Sequence, residues 1–166
     1  MTKPIRAHIG FGGEDVTPLA RELRHAMSHW PGGVAVLAVQ TRGRIEAITI
    51  NSLISVSLEP PLILVSIAER ASILPELQDG ARFTISALAK GQARAASMVS
   101  DRVPDLHKLF VDGDDPIVRD ALFTLACVTS KRHPAGDHVL VLGLVEGVVI
   151  GRDDEPLIYL RGAYSR

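Results

Sequence analysis

Between Ala47 and Ile67 the chain passes through a β-branched run, Ala47-Ile48-Thr49-Ile50, and then a hydroxyl- and amide-rich connection, Asn51-Ser52-Leu53-Ile54-Ser55-Val56-Ser57-Leu58-Glu59. A proline pair, Pro60-Pro61, and a second apolar run, Leu62-Ile63-Leu64-Val65-Ser66-Ile67, complete it. Short apolar runs bounded by polar residues and proline read as strands. The connection between them offers backbone N–H groups and small polar side chains to a planar, phosphate-bearing ligand.

Further strands are expected at 34–41 and 45–51, a hairpin joined through Arg42-Gly43-Arg44, and at 61–67, 82–88, 122–129, 139–149 and 157–160. Helical patterns lie between and around them. Thr17 reads as an N-cap with Pro18 at the first helical position, and Leu19, Leu23, Ala26, Met27 and Trp30 recur on one face before Pro31-Gly32-Gly33 stops the helix. Shorter helices are expected at 72–79, closed by Gly80, and at 90–100 and 104–110. Short strands with peripheral helices, rather than strict strand–helix alternation, favour an antiparallel barrel over a doubly wound parallel sheet.

The 166 residues suit one domain, here 14–166, preceded by a Gly-containing arm at 1–13. With 22% charged residues and a formal net charge of −1, nucleic acid and anionic membrane are not expected partners. An apolar fraction of 46% points to surface buried in a homodimer. The single cysteine, Cys127, has no partner for an internal disulfide, and Leu125-Ala126-Cys127-Val128 reads as a buried strand. Residues 1–13 lack the basic-then-apolar order of a secretion signal, and no apolar run approaches the ~20 residues that span a bilayer. A cytoplasmic location is the expectation.

Several segments carry polar groups with two physical readings. Thr49, Asn51, Ser52, Ser55 and Ser57 are either the solvent-facing and turn residues of half-buried strands or a ligand-lining set. Glu69-Arg70-Ala71-Ser72-Ile73-Leu74 leads into an expected helix, with Ser72 an ordinary N-cap or part of a phosphate site completed by Arg70. Phe83, Ile85 and Ala87 form an apolar face of their strand, with Ser86 able to hydrogen-bond. Gly136-Asp137-His138 is a hairpin start or a ligand contact, and Tyr159-Leu160-Arg161-Gly162-Ala163-Tyr164 is an edge strand with a basic tail or a phosphate-binding element. His25 and His29 lie one helical turn apart, but no Glu follows His25 and no third ligand is evident, so no metal site is expected. A nucleophile elbow, a phosphate-binding Gly-Lys-Ser/Thr loop and a calcium loop are all missing.

Taken together, residues 24–164 resemble the flavin reductase-like family. Its pattern of Thr-x-Asn-Ser, Ser-x-Ser, an acidic residue and Pro-Pro stands here as Thr49, Asn51, Ser52, Ser55, Ser57, Glu59, Pro60 and Pro61. The Gly-Asp-His triplet and the Arg-Gly-x-Tyr ending stand as Gly136-Asp137-His138 and Arg161-Gly162-Ala163-Tyr164. The resemblance implies a mainly β, antiparallel Greek-key split barrel that binds FMN or FAD as a homodimer. It assigns Thr49, Ile50, Asn51, Ser52, Ser55 and Val56 to the flavin ring, and Arg70, Ala71 and Ser72 to its phosphate. At the phosphate segment Ala71, Ser72 and Ile73 depart from the family's usual small-hydroxyl, Arg and Thr combination. Phe83 and Ser86 lie on a strand resembling Arg-Phe-x-Val-Asn-Val-Leu, with Ser86 in place of Asn. His138 is implied near the nicotinamide as the catalytic residue, positioning the dinucleotide rather than breaking a bond, and Tyr159, Arg161 and Gly162 close the dinucleotide site.

The implied activity is hydride transfer from NADH or NADPH to FMN or FAD, supplying reduced flavin to a partner monooxygenase. The alternative is a non-catalytic FMN-binding or electron-transfer protein of the same fold, which Ala71 and Ile73 keep open. A pyridoxamine-phosphate oxidase relative predicts a denser basic phosphate site than this chain offers.

Overall fold

Tight hairpins build most of the sheet. In the protein's computed structural model, which describes residues 17–101 and 106–165, β2 (Ala35–Thr41) and β3 (Arg44–Ile50) pair antiparallel across Arg42-Gly43. Both turn residues have positive φ, 47° and 78°, the type I′ geometry whose twist matches that of paired strands. β4 (Ile54–Leu58) and β5 (Pro61–Ala68) form a second hairpin, whose Glu59–Pro60 peptide is cis. β6 (Arg82–Ala87) follows, and then the two 13-residue strands β7 (Phe123–Ala135) and β8 (His138–Ile150). Their turn is Gly136-Asp137, with φ +66° at Gly136 alone, as a type II′ turn requires.

The seven strands lie in the order β3-β2-β6-β7-β8-β5-β4, all neighbours antiparallel. The two outermost strands, β3 and β4, are consecutive in the chain and joined by only three residues, 51–53. A flat seven-stranded sheet would hold its outer strands ~29 Å apart, whereas this link reaches ~14 Å at most, so the sheet must curl into a barrel. Ser52 fastens the closure. Its hydroxyl accepts from the Ser66 N–H at 3.1 Å and donates to the Ser66 carbonyl at 3.0 Å, doing for β5 what a neighbouring strand would do. Bulges at Ala126/Cys127 and Thr129/Lys131 bend β7 around the barrel.

Two cores result. Inside the barrel pack Leu37, Ile50, Ile63, Val65, Ile67, Phe83, Ile85, Cys127 and Val141, with Ile73 and Leu77 covering one end. Gly143 leaves room there: a Cβ at that position would lie 2.7 Å from the Phe83 ring. Outside, α2 (Ala93–Ser100) and the chain end cover the opposite faces of β2 and β3, burying Val36, Ala38, Ala47, Leu88, Val99, Phe110, Leu157 and Tyr164. β2 therefore lies between two cores, and its first five residues are all buried, as a two-sided strand should be. A smaller sheet, β1 (Gly32–Gly33), β9 (Ile158–Leu160) and β10 (Ala163–Tyr164), ties the C-terminal segment to the start of β2.

The structure revises several expectations. The segment 72–79 is not a helix but turns around a three-residue 3-10 stretch, Leu74–Glu76, because Ile73 and Leu77 are drawn into the barrel core. At 104–110 the described part is likewise a 3-10 turn, Leu106–Leu109, and 102–105 lie outside the described residues, as does the expected arm at 1–13. β4 occupies what read as a connection. β7 continues six residues past Thr129 through Pro134, which is tolerated because β6 pairs only with Phe123 to Val128 and leaves that side of β7 without a neighbour. α1 (Pro18–Met27) forms with its expected cap, the Ala20 N–H donating to Thr17 Oγ1 at 3.2 Å, yet it buries none of its residues within the chain.

Replacing Ser52 by Ala leaves both backbone groups of Ser66 without this partner, and should lower unfolding stability by about 1–3 kcal/mol. Urea unfolding of the two proteins measures it; an unchanged midpoint would remove Ser52 as the closure.

Candidate functional site

The link 51–53 is the point where three segments meet. Asn51 packs against β1: a Cβ on Gly32 would stand 3.4 Å from the Asn51 carbonyl oxygen and 3.6 Å from its Cβ. Gly32 pairs with Tyr159 of β9, which brings the C-terminal segment beside Asn51. On the other flank Ser52 holds Ser66, two residues before Ala68, which pairs with His138 at the start of β8. Asn51, the end of β5, the Gly136-Asp137 turn and β9 are thereby gathered at one end of the barrel.

His138 is held firmly. Asp137 Oδ1 lies 2.7 Å from His138 Nδ1, and the Glu69 N–H donates to the Asp137 carbonyl at 3.0 Å, locking the turn to the end of β5. The hydrogen bond from His138, then its charge and more weakly that of Arg70, hold the Asp137 carboxyl below its ordinary range. An ionised carboxylate only accepts, so Nδ1 carries the proton in this pair. Arg70 and Ser72 are exposed just beyond β5, while Ala71 turns partly into the core.

At the other flank Arg161 and Gly162 form the β9–β10 turn, with φ of 51° and 79°. The Arg161 N–H donates to the Ser28 carbonyl at 2.8 Å, so this turn is anchored behind α1. Tyr159 is half-buried, edge-on to Tyr164 at 6.0 Å, and burial pushes both phenols above their usual range.

The site assignments divide accordingly. Asn51, Ser55, Val56, Arg70, Ser72, His138, Tyr159, Arg161 and Gly162 present surface. Others have side chains committed inward in the single chain. Thr49 Oγ1 donates to the Ala96 carbonyl at 2.7 Å and pins α2. Ile50 and Phe83 are core residues. Ser86 is fully buried, accepting from the Val118 N–H at 3.1 Å and bonding the Thr124 hydroxyl at 2.9 Å. Ser52 spends its hydroxyl on Ser66. Without a helix at 72–79, this segment offers no α-helix N-terminus; Arg70 and Ser72 are its exposed polar residues nearest β5. Sequence reasoning missed Gly32, for which no local signal exists, and gave no role to Asp137, although its place beside His138 in a Gly-led turn was visible. A depression of about 260 Å³ lined by Val111, Phe123, Val149 and Arg152 lies at the other end of β7 and β8 and includes none of these residues.

The donors suit a flat heteroaromatic ring with an anionic tail. Asn51, whose carboxamide has no hydrogen-bond partner among the described residues, and Ser55 offer neutral polar groups; Arg70, Ser72 and Arg161 offer charge and hydroxyl. An all-antiparallel sheet curled into a barrel, with β4 left as an edge, is the architecture of the split barrel found in flavin-handling oxidoreductases.

Comparison with known proteins agrees. The model of the flavin reductase like domain matches residues 27–166. The reductase component of 4-hydroxyphenylacetate 3-monooxygenase from Thermus thermophilus is 34% identical over 143 residues, which cover 86% of this chain and 93% of that protein. An NADH-dependent flavin reductase from a Rhodococcus species is 33% identical over 155 residues, 90% of this chain and 86% of its own. Among solved structures, the NADH:FAD oxidoreductase of Streptomyces globisporus C-1027, in complex with NAD and FAD fragments, superposes with a TM-score of 0.82 at 30% identity, covering 93% of this chain and 96% of that one. The chain belongs to the flavin reductase-like family.

Cys127 lies in the barrel core beside these elements, and burial, reinforced by the charge of Glu146, pushes its thiol up to about 12. The native thiol thus keeps a proton that the unfolded chain releases near its ordinary value of 9.0, so stability should fall as pH rises from there towards 12. At neutral pH a maleimide should label Cys127 only after denaturation; rapid labelling of native protein would contradict this burial.

Proposed function

We propose that the protein is an NAD(P)H-dependent flavin reductase, taking electrons from the cytoplasmic nicotinamide pool and releasing reduced FMN or FAD to a separate monooxygenase. The observation that carries this reading is the meeting of the 51–53 link, the Arg70–Ser72 turn and the Asp137–His138 pair at one barrel end of a chain from this family. When bound, the flavin ring supplies the hydride acceptor. Asn51, Ser55 and the link backbone hold the ring's polar edge. Arg70 and Ser72 take the phosphate, where an arginine fork matches phosphate oxygens. Arg161 meets the phosphates of the dinucleotide, and His138 positions its nicotinamide. Holding two rings in stacked contact supplies most of what hydride transfer needs, because no protein acid acts at the transferring carbon.

A homodimer completes the site in this reading. Leu19, Leu23, Met27 and Trp30 form the apolar face of α1 and the residue beyond it, and they are 73, 61, 55 and 73% exposed in the single chain. The edge strand β4 adds Ile54, Val56 and Leu58, the last 90% exposed. An open apolar edge strand and an uncovered amphipathic helix are surfaces of the kind that a second copy buries. Sedimentation should give twice the chain mass, and Leu58→Asp should yield a folded monomer; a wild-type monomer at micromolar concentration would rule the dimer out.

Purified protein mixed with FMN or FAD and NADH or NADPH under air should consume the reduced nicotinamide only when flavin is present. Arg161→Ala should raise the KM for the dinucleotide by about tenfold, the loss of one charge-assisted hydrogen bond, with the KM for flavin little changed. Stoichiometric flavin retention with no turnover in any pairing would replace the reductase by a flavin carrier, the reading that Ala71 and the buried Ile73 favour at the phosphate segment.

A further inference from the structure

β8 outruns its neighbour. β5 pairs with it from His138 to Leu144, and beyond Leu144 only β7 accompanies it, so the outer edge of residues 145–150 meets no strand among the described residues. Edges of this kind are ordinarily guarded by a charge or a proline. Here the centre of the edge is Val148-Val149-Ile150, and these side chains are 56, 53 and 77% exposed. Val149 pairs with Thr124 and lines the depression at this end of the sheet. Val148 and Ile150 point to the opposite face, so the edge is apolar on both sides.

The charges sit only at the two ends of this run, and they are of opposite sign. Residues 146–152 read Glu-Gly-Val-Val-Ile-Gly-Arg. Laid antiparallel on itself about Val149, this stretch sets Val149 opposite Val149, Val148 opposite Ile150, Gly147 opposite Gly151 and Glu146 opposite Arg152. Apolar and opposite-charge pairs directly across a ladder are the favourable ones. Within the single chain Glu146 meets Arg82 at 3.9 Å and Arg152 meets Asp154 at 3.1 Å, exposed pairs that contribute little and can be exchanged. We propose that the outer edge of β8 is an interaction surface for a second copy of this chain, joined antiparallel about Val149 so that Glu146 of each copy meets Arg152 of the other. β4, the other apolar edge, has no charge within Ile54–Leu58 to answer Glu146 and Arg152, and joining it to β8 would be a head-to-tail contact that two copies cannot close. The contact is separate from the α1 and β4 surfaces and needs no flavin. A ladder of six residues is short against the ~800 Å² that each partner commits in a stable complex, so the pairing is a weak one.

Sedimentation equilibrium of the full-length chain tests this in a Leu23→Asp background, which removes any contact made through α1. That chain should be monomeric when dilute and should approach twice its mass in the high micromolar range. Glu146→Arg and Arg152→Glu, each alone, set two like-charge pairs face to face and should weaken the association by about tenfold. Mixed in equal amounts, the two variants restore opposite charges at both ends of the ladder and should associate as strongly as the parent chain. Hydrogen exchange in the wild-type chain gives a reading that needs no variant: amides within 146–150 should be slowed as the protein is concentrated.

Exchange at 146–150 that does not change with concentration would overturn the proposal and leave this edge to a strand from a different protein. Association that neither charge variant weakens, or that the mixture fails to restore, would overturn the register about Val149. None of these readings involves flavin or NADH, so failure of the reductase reading would leave the contact standing, and failure of the contact would leave the reductase standing.

Discussion

A three-residue tether between the two outermost strands governs this molecule. Because β3 and β4 occupy opposite ends of the sheet order and yet follow one another in the chain, the sheet must close. Closure creates an interior that a flat sheet would lack, and Leu37, Val65, Ile67, Ile85 and Val141 fill it. Each fully buried aliphatic side chain of this kind stabilises the fold by about 1.5–3 kcal/mol. The effect of the tether is geometric, and Ser52 fastens it to β5 through two hydrogen bonds.

This seam positions the site. Backbone groups near a barrel closure have no strand on one side, and here they lie next to the first turn after β5 and the first residue of β8. Polar side chains at this end divide into those that complete the seam and those left facing outward. Ser52 and Thr49 belong to the first group, Asn51 and Ser55 to the second. A ligand at this end would replace the partners that a complete sheet would have provided, which is why binding and closure share a handful of adjacent residues.

Strands with an unbroken apolar run, or with one apolar face, are legible in the sequence alone. β2, β3, β5, β6 and β8 lie within a residue or two of where hydrophobic pattern and turn residues put them. β4 is not legible in this way, because Ser55 and Ser57 alternate with apolar residues on a strand exposed on both faces, and a bulge at Val56 breaks its period. The 72–79 segment carries a helical pattern that loses to tertiary packing, since Ile73 and Leu77 gain more by covering the barrel end than a short isolated helix would gain by forming. Among the candidate site residues, motif spacing marks segments that the fold brings towards one another. It does not separate the outward-facing Asn51 and His138 from Ser86, whose hydroxyl is spent on Val118 and Thr124.

By itself the sequence determined strand content, the Gly-bearing hairpin turns at Arg42-Gly43 and Gly136-Asp137, the capped start of α1, and the motif segments that mark the family. These are local properties, set by backbone sterics and by the spacing of apolar residues along a few neighbours. Only the tertiary structure decided which polar groups remain available, that Gly32 backs Asn51, and that Asp137 and His138 lie beside the end of β5. Whether a serine or threonine binds a ligand depends on whether a distant backbone group has already claimed its hydroxyl. That claim is made only when the barrel closes and brings residues far apart in the chain within hydrogen-bonding distance.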